Sequence, residues 1–355
     1  MKGVILHGGH GTRLRPLTHT GPKQLLPIAN KPMSEYCLNS LKEAGIVDIA
    51  IIIGGIASNK VKEYYGNGEK FGVKISYVEQ DEPKGIAHAI NLCKNFIGNS
   101  KFIVFLGDNI LLRNIKDFRE EFEKSDSDAS ILLCKVDNPK QFGIADINSE
   151  GSIKKIIEKP KDPPTDLAVT GIYFLTPKIF EIFSRLKPSW RNELEITDAL
   201  QMLLEEENTI SHYHVTDYWK DTGTPGDIIH ANKVVLENMK PYSFGTIEEN
   251  VEKSGSIMIG KNSIIKSGSK IIGPIIIGEN SIIESDTIIG PNTSIGNNVI
   301  LQKCKISNSI IMNDCKINGE IHVKNSIISF NSDISKINDN NENIFLLGEG
   351  TKISL

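Results

Sequence analysis

The 355-residue sequence has little that would tie it to a membrane, to nucleic acid or to an oxidising compartment. Its longest apolar stretches, Ile46 to Ile53 and Ile271 to Ile277 among them, are broken by Asp48 or by Gly273 and Pro274. They fall far short of the ~20 residues a membrane-spanning helix needs. Val4-Ile5-Leu6 runs straight into Gly8 and Gly9, which leaves no apolar stretch of signal-peptide length, so a cytoplasmic protein is expected. Lysine and arginine total 40 against 44 aspartates and glutamates, for a formal net charge of -4, and no basic block stands out. That argues against nucleic acid as a partner, since no broad positive field is available to hold a phosphate backbone. The five cysteines, at 37, 93, 134, 304 and 315, form no Cys-x-x-Cys pair and have no nearby histidine at zinc-site spacing, so they read as core or surface thiols.

What the chain does have is two textures. From Met1 to about Met239, short β-branched runs alternate with stretches of helical periodicity. The runs are Gly3 to Leu6, Ile49 to Ile53, Lys74 to Val78, Phe102 to Leu106 and Ser130 to Cys134; the helical stretches are Glu35 to Ala44, Ile86 to Asn95 and Asn114 to Lys124. Such alternation predicts an α/β domain, residues 1–239, with a Rossmann-like, mostly parallel sheet covered by helices. Sheets of this kind bind ligands beyond the carboxyl ends of their strands, which directs attention to the loops after Leu6 and Leu106.

From about Ile257 the helical period vanishes. Ile259, Ile265, Ile271, Ile277, Ile283, Ile289, Ile295 and Leu301 follow one another at an unbroken six-residue spacing, with small or β-branched residues four positions after each of the first seven. This hexapeptide repeat predicts a left-handed parallel β-helix over residues 257–355, in which each coil buries its inward side chains by stacking on the next. The phase slips after Leu301, so the last coils are expected to be irregular or capping. Asp333 to Asn343 reads as a polar loop, and residues 240–256 as a connection between the domains.

The first strand ends in Leu6-His7-Gly8-Gly9-His10-Gly11-Thr12-Arg13-Leu14-Arg15-Pro16-Leu17-Thr18. Glycines so close together let backbone N–H groups approach a phosphate, although the spacing matches neither a Walker loop nor the dinucleotide fingerprint. By itself this stretch reads equally well as a turn with solvated arginines. It is followed by Pro22-Lys23-Gln24-Leu25-Leu26-Pro27-Ile28 and Asn30-Lys31-Pro32-Met33. Together these pieces resemble the sugar-phosphate nucleotidyltransferases, most closely the glucose-1-phosphate thymidylyltransferases in the long form that carries a C-terminal β-helix. The resemblance continues in order through Gln80, Gly85 to Ala89, Leu106 to Asn109, Phe142-Gly143, Glu158-Lys159-Pro160, Thr170 to Tyr173, Glu193 to Asp198 and Trp219 to Pro225.

That resemblance implies an enzyme that transfers a nucleotidyl group from dTTP, or UTP, to glucose 1-phosphate with Mg2+ as cofactor. Arg13, Lys23, Asp108 and Asp221 match its catalytic residues, with Asp108 and Asp221 as the metal carboxylates. Gly8, Gly9, Gly11, Thr12, Arg13, Gln80 and Gly85 match its nucleotide site, and Gly143, Glu158, Lys159, Thr170, Tyr173 and Trp219 its sugar-phosphate side. Without the match, Asp108 would pass for a helix cap and Asp221 for a turn residue. Two departures stand out: His7 where the family has a small residue, and Phe142 where a tyrosine is expected. The partners implied are small-molecule substrates, and homo-oligomers through the β-helix are expected. An alternative is a bifunctional protein whose β-helix transfers acetyl from acetyl-CoA to an amino sugar, for which His322 is the one histidine in that domain. A second is a catalytically silent sugar-nucleotide sensor or scaffold, which requires a pocket that has lost its chemistry, whereas Arg13, Lys23, Asp108 and Asp221 are all present.

Overall fold

The computed structural model describes residues 1–336 apart from 10 and 56. Two compact units are present. The first comprises Met1–Gly11, Thr18–Leu25 and Met33–Asp221, and the second Thr12–Leu17, Leu26–Pro32 and the described residues from Thr222 onward.

Through residue 221 the strands are β1 (Lys2–His7), β2 (Pro27–Ile28), β3 (Lys31–Pro32), β4 (Asp48–Ile53), β5 (Lys74–Glu79), β6 (Phe102–Leu106), β7 (Asn109–Leu111), β8 (Ala129–Lys135), β9 (Gly143–Ile147), β10 (Ile153–Glu158), β11 (Leu167–Leu175), β12 (Ile210–His214) and β13 (Trp219–Asp221). The helices are α1 (Met33–Glu43), α2 (Asn59–Tyr65), α3 (Ile86–Leu92), α4 (Lys94–Ile97), α5 (Lys116–Lys124), α6 (Ile179–Phe183), α7 (Ile196–Glu205) and α8 (Pro225–Asn238). The helical stretch expected from Ile86 to Asn95 is interrupted at Cys93, whose ψ of 2° leaves the helical region and separates α3 from α4.

In the first unit the main sheet runs β10-β9-β11-β6-β1-β4-β5, with β8 pairing β11 and β12. β1 lies parallel between β4 and β6, while β11 is antiparallel to β6. The β-branched runs are buried on both faces, as a covered parallel sheet requires. Alternate residues serve opposite cores. Val4, Leu6, Ala50, Ile52 and Val104 pack in one cluster with α3 and α7, and Ile5, Ile49, Ile51, Ile103 and Phe105 in another with α1, α2 and α5. β1 and β6 therefore end side by side, bringing the loops after Leu6 and Leu106 to one rim of the sheet.

The second unit contains the β2–β3 hairpin, α8 and a stack of short strands. Pro225 opens α8 behind a capping box in which Thr224 and Asp227 satisfy each other's backbone N–H groups. Buried Asn232 on α8 accepts the Ala29 N–H at 2.8 Å and the Ser294 hydroxyl at 2.6 Å, and donates to the Asn292 carbonyl at 3.2 Å. The stack has three parallel sheets, the arrangement of a left-handed β-helix. Ile257, Ile275 and Thr293 lie above one another at 18-residue intervals, three hexapeptides per coil. The inward isoleucines form a continuous core from Ile259 to Ile317 and Val323.

Pairing does not lapse after Leu301. Leu301 pairs with Ile317 and Ile317 with Ile334, so the slip in the repeat reflects coils shortened at their corners, not loss of structure. Residues 240–256 carry strands at Tyr242–Ser243, Thr246–Ile247 and Glu252–Ser254, which pair in register with the next coil. Of the expected loop from Asp333, the first three residues form a strand, and the part beyond 336 lies outside the described residues.

Candidate active site

The rim above β1 and β6 holds a cavity of about 230 Å3. Its walls include Gly8, Gly9, Gln80 and Gly85 from the expected nucleotide set, together with Gln24, Asp108 and Glu193. The glycine stretch is held from two sides. Gln24 Nε2 donates to the Gly8 carbonyl at 2.8 Å, and the Thr18 hydroxyl donates to the Gly11 carbonyl at 2.8 Å. Gly85, at φ 108°, packs so close to Leu194 that a Cβ would come within 2.5 Å of its carbonyl oxygen, so no other residue fits. Gln80 is oriented by a 3.2 Å contact between its amide nitrogen and His88 Nδ1.

Asp108 stands just beyond β6, after Gly107, and its side chain is 13% exposed. One carboxylate oxygen, Oδ2, takes a short bond from Lys23 Nζ, and the other, Oδ1, accepts from Asn109 Nδ2 at 3.0 Å. Burial opposes ionisation, but the Lys23 ammonium and the bond from Asn109 outweigh it and hold the carboxyl below its usual range. Asn109 is buried, and its Oδ1 accepts the Trp219 indole N–H at 2.8 Å and the Gly171 N–H at 3.3 Å. β7 and β13 pair antiparallel, with Asp221 directly opposite Asn109. Two carboxylates thus come from adjoining strand ends. Among the described residues no group of three or more His, Cys, Asp or Glu forms a metal cage. Two carboxylates with no nitrogen or sulfur ligand form an oxygen donor set that fits Mg2+ completed by substrate phosphates.

Of the residues expected on the sugar side, Gly143 and Lys159 gather around Glu158 at the end of β10. Thr197 on α7 donates its hydroxyl to Glu158 Oε2 at 2.9 Å, Arg191 Nη1 lies 3.5 Å from Oε1, and Lys159 Nζ lies 3.6 Å from Oε1. Burial pushes the Glu158 carboxyl up from its usual range; Glu195 adds to this, against the Thr197 bond and the two cations. Gly143 faces both groups, and a Cβ there would meet Thr197 Cγ2 at 2.5 Å and Glu158 Oε2 at 3.1 Å. Lys159 has φ 41° immediately before Pro160. A residue preceding proline is ordinarily driven to extended backbone, so this is local strain of the kind that gathers at functional sites. Phe142 stacks edge to face on Trp219 at 5.7 Å, forming an apolar wall with no hydroxyl.

Other expected residues fall differently. Thr170 is fully buried on β11 with no hydrogen-bond partner for its hydroxyl. Tyr173 is buried within the core cluster of Val104 and Ile131, and burial pushes its hydroxyl far up. Thr12 and Arg13 lie exposed on the single turn Thr12–Leu14, within the second unit. His7 does not narrow the cavity: its side chain points to the other face of the sheet, edge-on to Tyr65 at 5.9 Å, and neither ring nitrogen has a partner. Burial pushes its pKa down to about 3, against the pull of Asp108, so the ring is neutral. His322 is exposed on the strand His322–Lys324 of the β-helix.

Sequence reading gave no role to Asn109, Arg191, Glu195 or Thr197. Asn109, Glu195 and Thr197 were in view within ordered motifs, but the bonds of Asn109 and Thr197 reach across tens of residues to partners that no spacing rule connects, and those of Glu195 close a local turn with Ser189 and Arg191.

Comparison with known proteins gives the family. The Nucleotidyl transferase family profile matches residues 2–238, and the GMPPB C-terminal domain profile matches residues 271–354. The low-salt glycan biosynthesis nucleotidyltransferase Agl11 of Haloferax volcanii is 44% identical over 99% of this chain and 94% of its own length. A glucose-1-phosphate thymidylyltransferase of Streptomyces antibioticus is 38% identical over 100% of this chain and 99% of its own. Among solved structures, a Bacillus anthracis protein described as a glucose-1-phosphate thymidylyltransferase, crystallised with sucrose, superposes with a TM-score of 0.64 at 40% identity, covering 68% of this chain and 98% of that one. A rim that pairs a glycine-lined cavity with juxtaposed carboxylates, matched end to end by such relatives, makes this chain a member of the nucleotidyl transferase family and a sugar-1-phosphate nucleotidyltransferase.

Proposed function

We propose that the chain transfers a thymidylyl group from dTTP to glucose 1-phosphate, with UTP as the competing donor, and releases pyrophosphate. The observation that carries this reading is the placement of Asp108: one oxygen on Lys23, the other on Asn109, one residue away from the strand pair that holds Asp221.

The chemistry follows from charge. Bringing a sugar phosphate onto a triphosphate joins two anions, so the site must supply positive charge to the α-phosphate and to the leaving pyrophosphate. Mg2+ held by Asp108 and Asp221 would supply most of it when bound. Lys23, already beside Asp108, contributes an ammonium to the phosphates, and Arg13 is assigned the same task on the resemblance. Gln80, Gly8 and Gly85 line a cavity suited to a pyrimidine, which Gln80 can meet with an amide donor and acceptor. On the acceptor side Lys159 and Arg191 hold the sugar phosphate, while Glu158 and the Gly143 backbone orient the sugar hydroxyls. A phosphate oxygen of the sugar then attacks the α-phosphorus in line and the bond to pyrophosphate breaks, with no covalent intermediate on the protein.

The β-helix contributes flat outer faces suited to self-association, and we assign it to homo-oligomer assembly. Incubating the protein with Mg2+, dTTP and glucose 1-phosphate, and in a second sample with Mg2+, UTP and N-acetylglucosamine 1-phosphate, and identifying the products by phosphorus NMR tests the reading: dTDP-glucose supports it, and its absence alongside a UDP-linked amino sugar in the second sample overturns it. Adding acetyl-CoA and glucosamine 1-phosphate in a parallel sample checks the acetyl-transfer alternative.

A further inference from the structure

Arg191 sits among three carboxylates. Its Nη2 donates to Glu193 Oε1 at 3.1 Å, and its Nη1 to Glu195 Oε1 at 3.2 Å and to Glu158 Oε1 at 3.5 Å. With Lys159 also on Glu158, two cations face three carboxylates, so this part of the site carries a net negative charge. A phosphate monoester brings a further charge of about -1.5 to -2 at neutral pH. A phosphate that takes the part of Arg191 now held by Glu193 displaces that carboxylate.

The three carboxylates are not equally able to leave. Glu195 is 4% exposed at its side chain and is also bonded by the Ser189 hydroxyl at 3.0 Å. Glu158 is 15% exposed and fixed by Thr197. Glu193 is 36% exposed, and among the described residues Arg191 is its one side-chain partner. Its backbone is held, because its carbonyl accepts the Ser189 N–H at 2.8 Å, so the side chain alone is free to turn. Glu193 also lines the cavity that contains Gly8, Gln80 and Asp108.

We propose that Glu193 is an internal competitor for Arg191. Its carboxylate occupies one edge of the guanidinium in the empty site and turns away when the phosphate of the sugar takes that edge. The inference rests on the sugar-phosphate assignment made above. Displacing Glu193 weakens every phosphate that binds there, inorganic phosphate included, but a sugar 1-phosphate gains additional bonds from its hydroxyls at Glu158. Glu193 therefore lowers the affinity of this edge for any phosphate, bare or esterified, which makes it a residue that sets the strength of acceptor binding.

The test is calorimetric titration of the full chain with inorganic phosphate and, separately, with glucose 1-phosphate, without nucleotide or metal. Glu193→Gln is expected to tighten both by about two- to fivefold, the range of a partly exposed ion pair. Glu193→Asp, which keeps the charge, is expected to bind no tighter than the wild type. In an Arg191→Gln background, or Arg191→Lys if that variant does not fold, the Glu193→Gln gain should shrink or vanish. No gain from Glu193→Gln in the wild-type background overturns the proposal, as does an equal gain with Arg191→Gln, which would reduce the effect to general charge. Tightening of inorganic phosphate with no binding of glucose 1-phosphate by any variant would leave the competitor standing and remove the sugar 1-phosphate assignment.

Discussion

Asn109 Oδ1 accepts the indole N–H of Trp219 at 2.8 Å, while the other end of the same amide donates to Asp108 at 3.0 Å. One buried side chain thereby ties the carboxylate after β6 to the strand that ends in Asp221. The two proposed metal ligands are set by a paired backbone and a satisfied amide, the kind of support that fixes a site to within a fraction of an ångström.

Asp108→Asn keeps the shape of the side chain and removes its charge. Turnover should fall by about 100-fold or more, the upper end of what loss of even a supporting partner costs at a metal site. Circular dichroism should show an intact fold. Near-normal turnover with Mg2+ would remove Asp108 from the chemistry.

Lys159→Met removes a cation beside Glu158 while keeping an unbranched chain. KM for glucose 1-phosphate should rise by tenfold or more, about what loss of a charge-assisted bond costs, with KM for dTTP little changed. An unchanged sugar-phosphate KM in steady-state kinetics would contradict the assignment.

The β-helix offers an internal control. Ile283 is fully buried inside a coil, whereas its neighbour Ile282 points outward and is half-buried. Ile283→Ala should lose about 2–5 kcal/mol of stability and Ile282→Ala distinctly less. Urea unfolding followed by circular dichroism measures both, and equal losses would contradict the inside-outside assignment.

His7 makes stability depend on pH. Its pKa is about 3 in the folded protein against 6.5 for the exposed side chain, so between those values the unfolded chain binds a proton that the folded one does not. Stability therefore falls as pH drops from about 6.5 toward about 3, by up to about 1.4 kcal/mol per pH unit from this residue. His7→Leu should flatten the slope of the urea midpoint between pH 6.5 and 4.5. A slope identical to the wild type would show that His7 is not a buried neutral ring.

The repeat was legible because a β-helix writes its geometry directly into sequence: one inward isoleucine per hexapeptide, each stacked 18 residues from the next of its face. The slip after Leu301 looked like an ending because a shortened corner changes the spacing without changing the pairing. Asp108 and Lys23 were found through local motifs, but the bond between them, 85 residues apart, follows only from β6 and the Lys23 turn arriving at one rim. Arg191 was harder still, because it lies in the turn before α7 and its meaning lies in Glu158, at the end of β10. His7 stands beside the glycines in sequence, yet it alternates onto the far face of β1, away from the cavity, as a packed neutral ring.

The most direct measurement is pyrophosphate release with Mg2+ and glucose 1-phosphate, with dTTP, UTP, ATP and GTP run in parallel and repeated with glucosamine and N-acetylglucosamine 1-phosphates. The account predicts release led by dTTP on glucose 1-phosphate, with UTP second, since one methyl group in an apolar pocket discriminates by only about 1–3 kcal/mol. Release led by UTP on the amino sugars, or none with any pair, would contradict it.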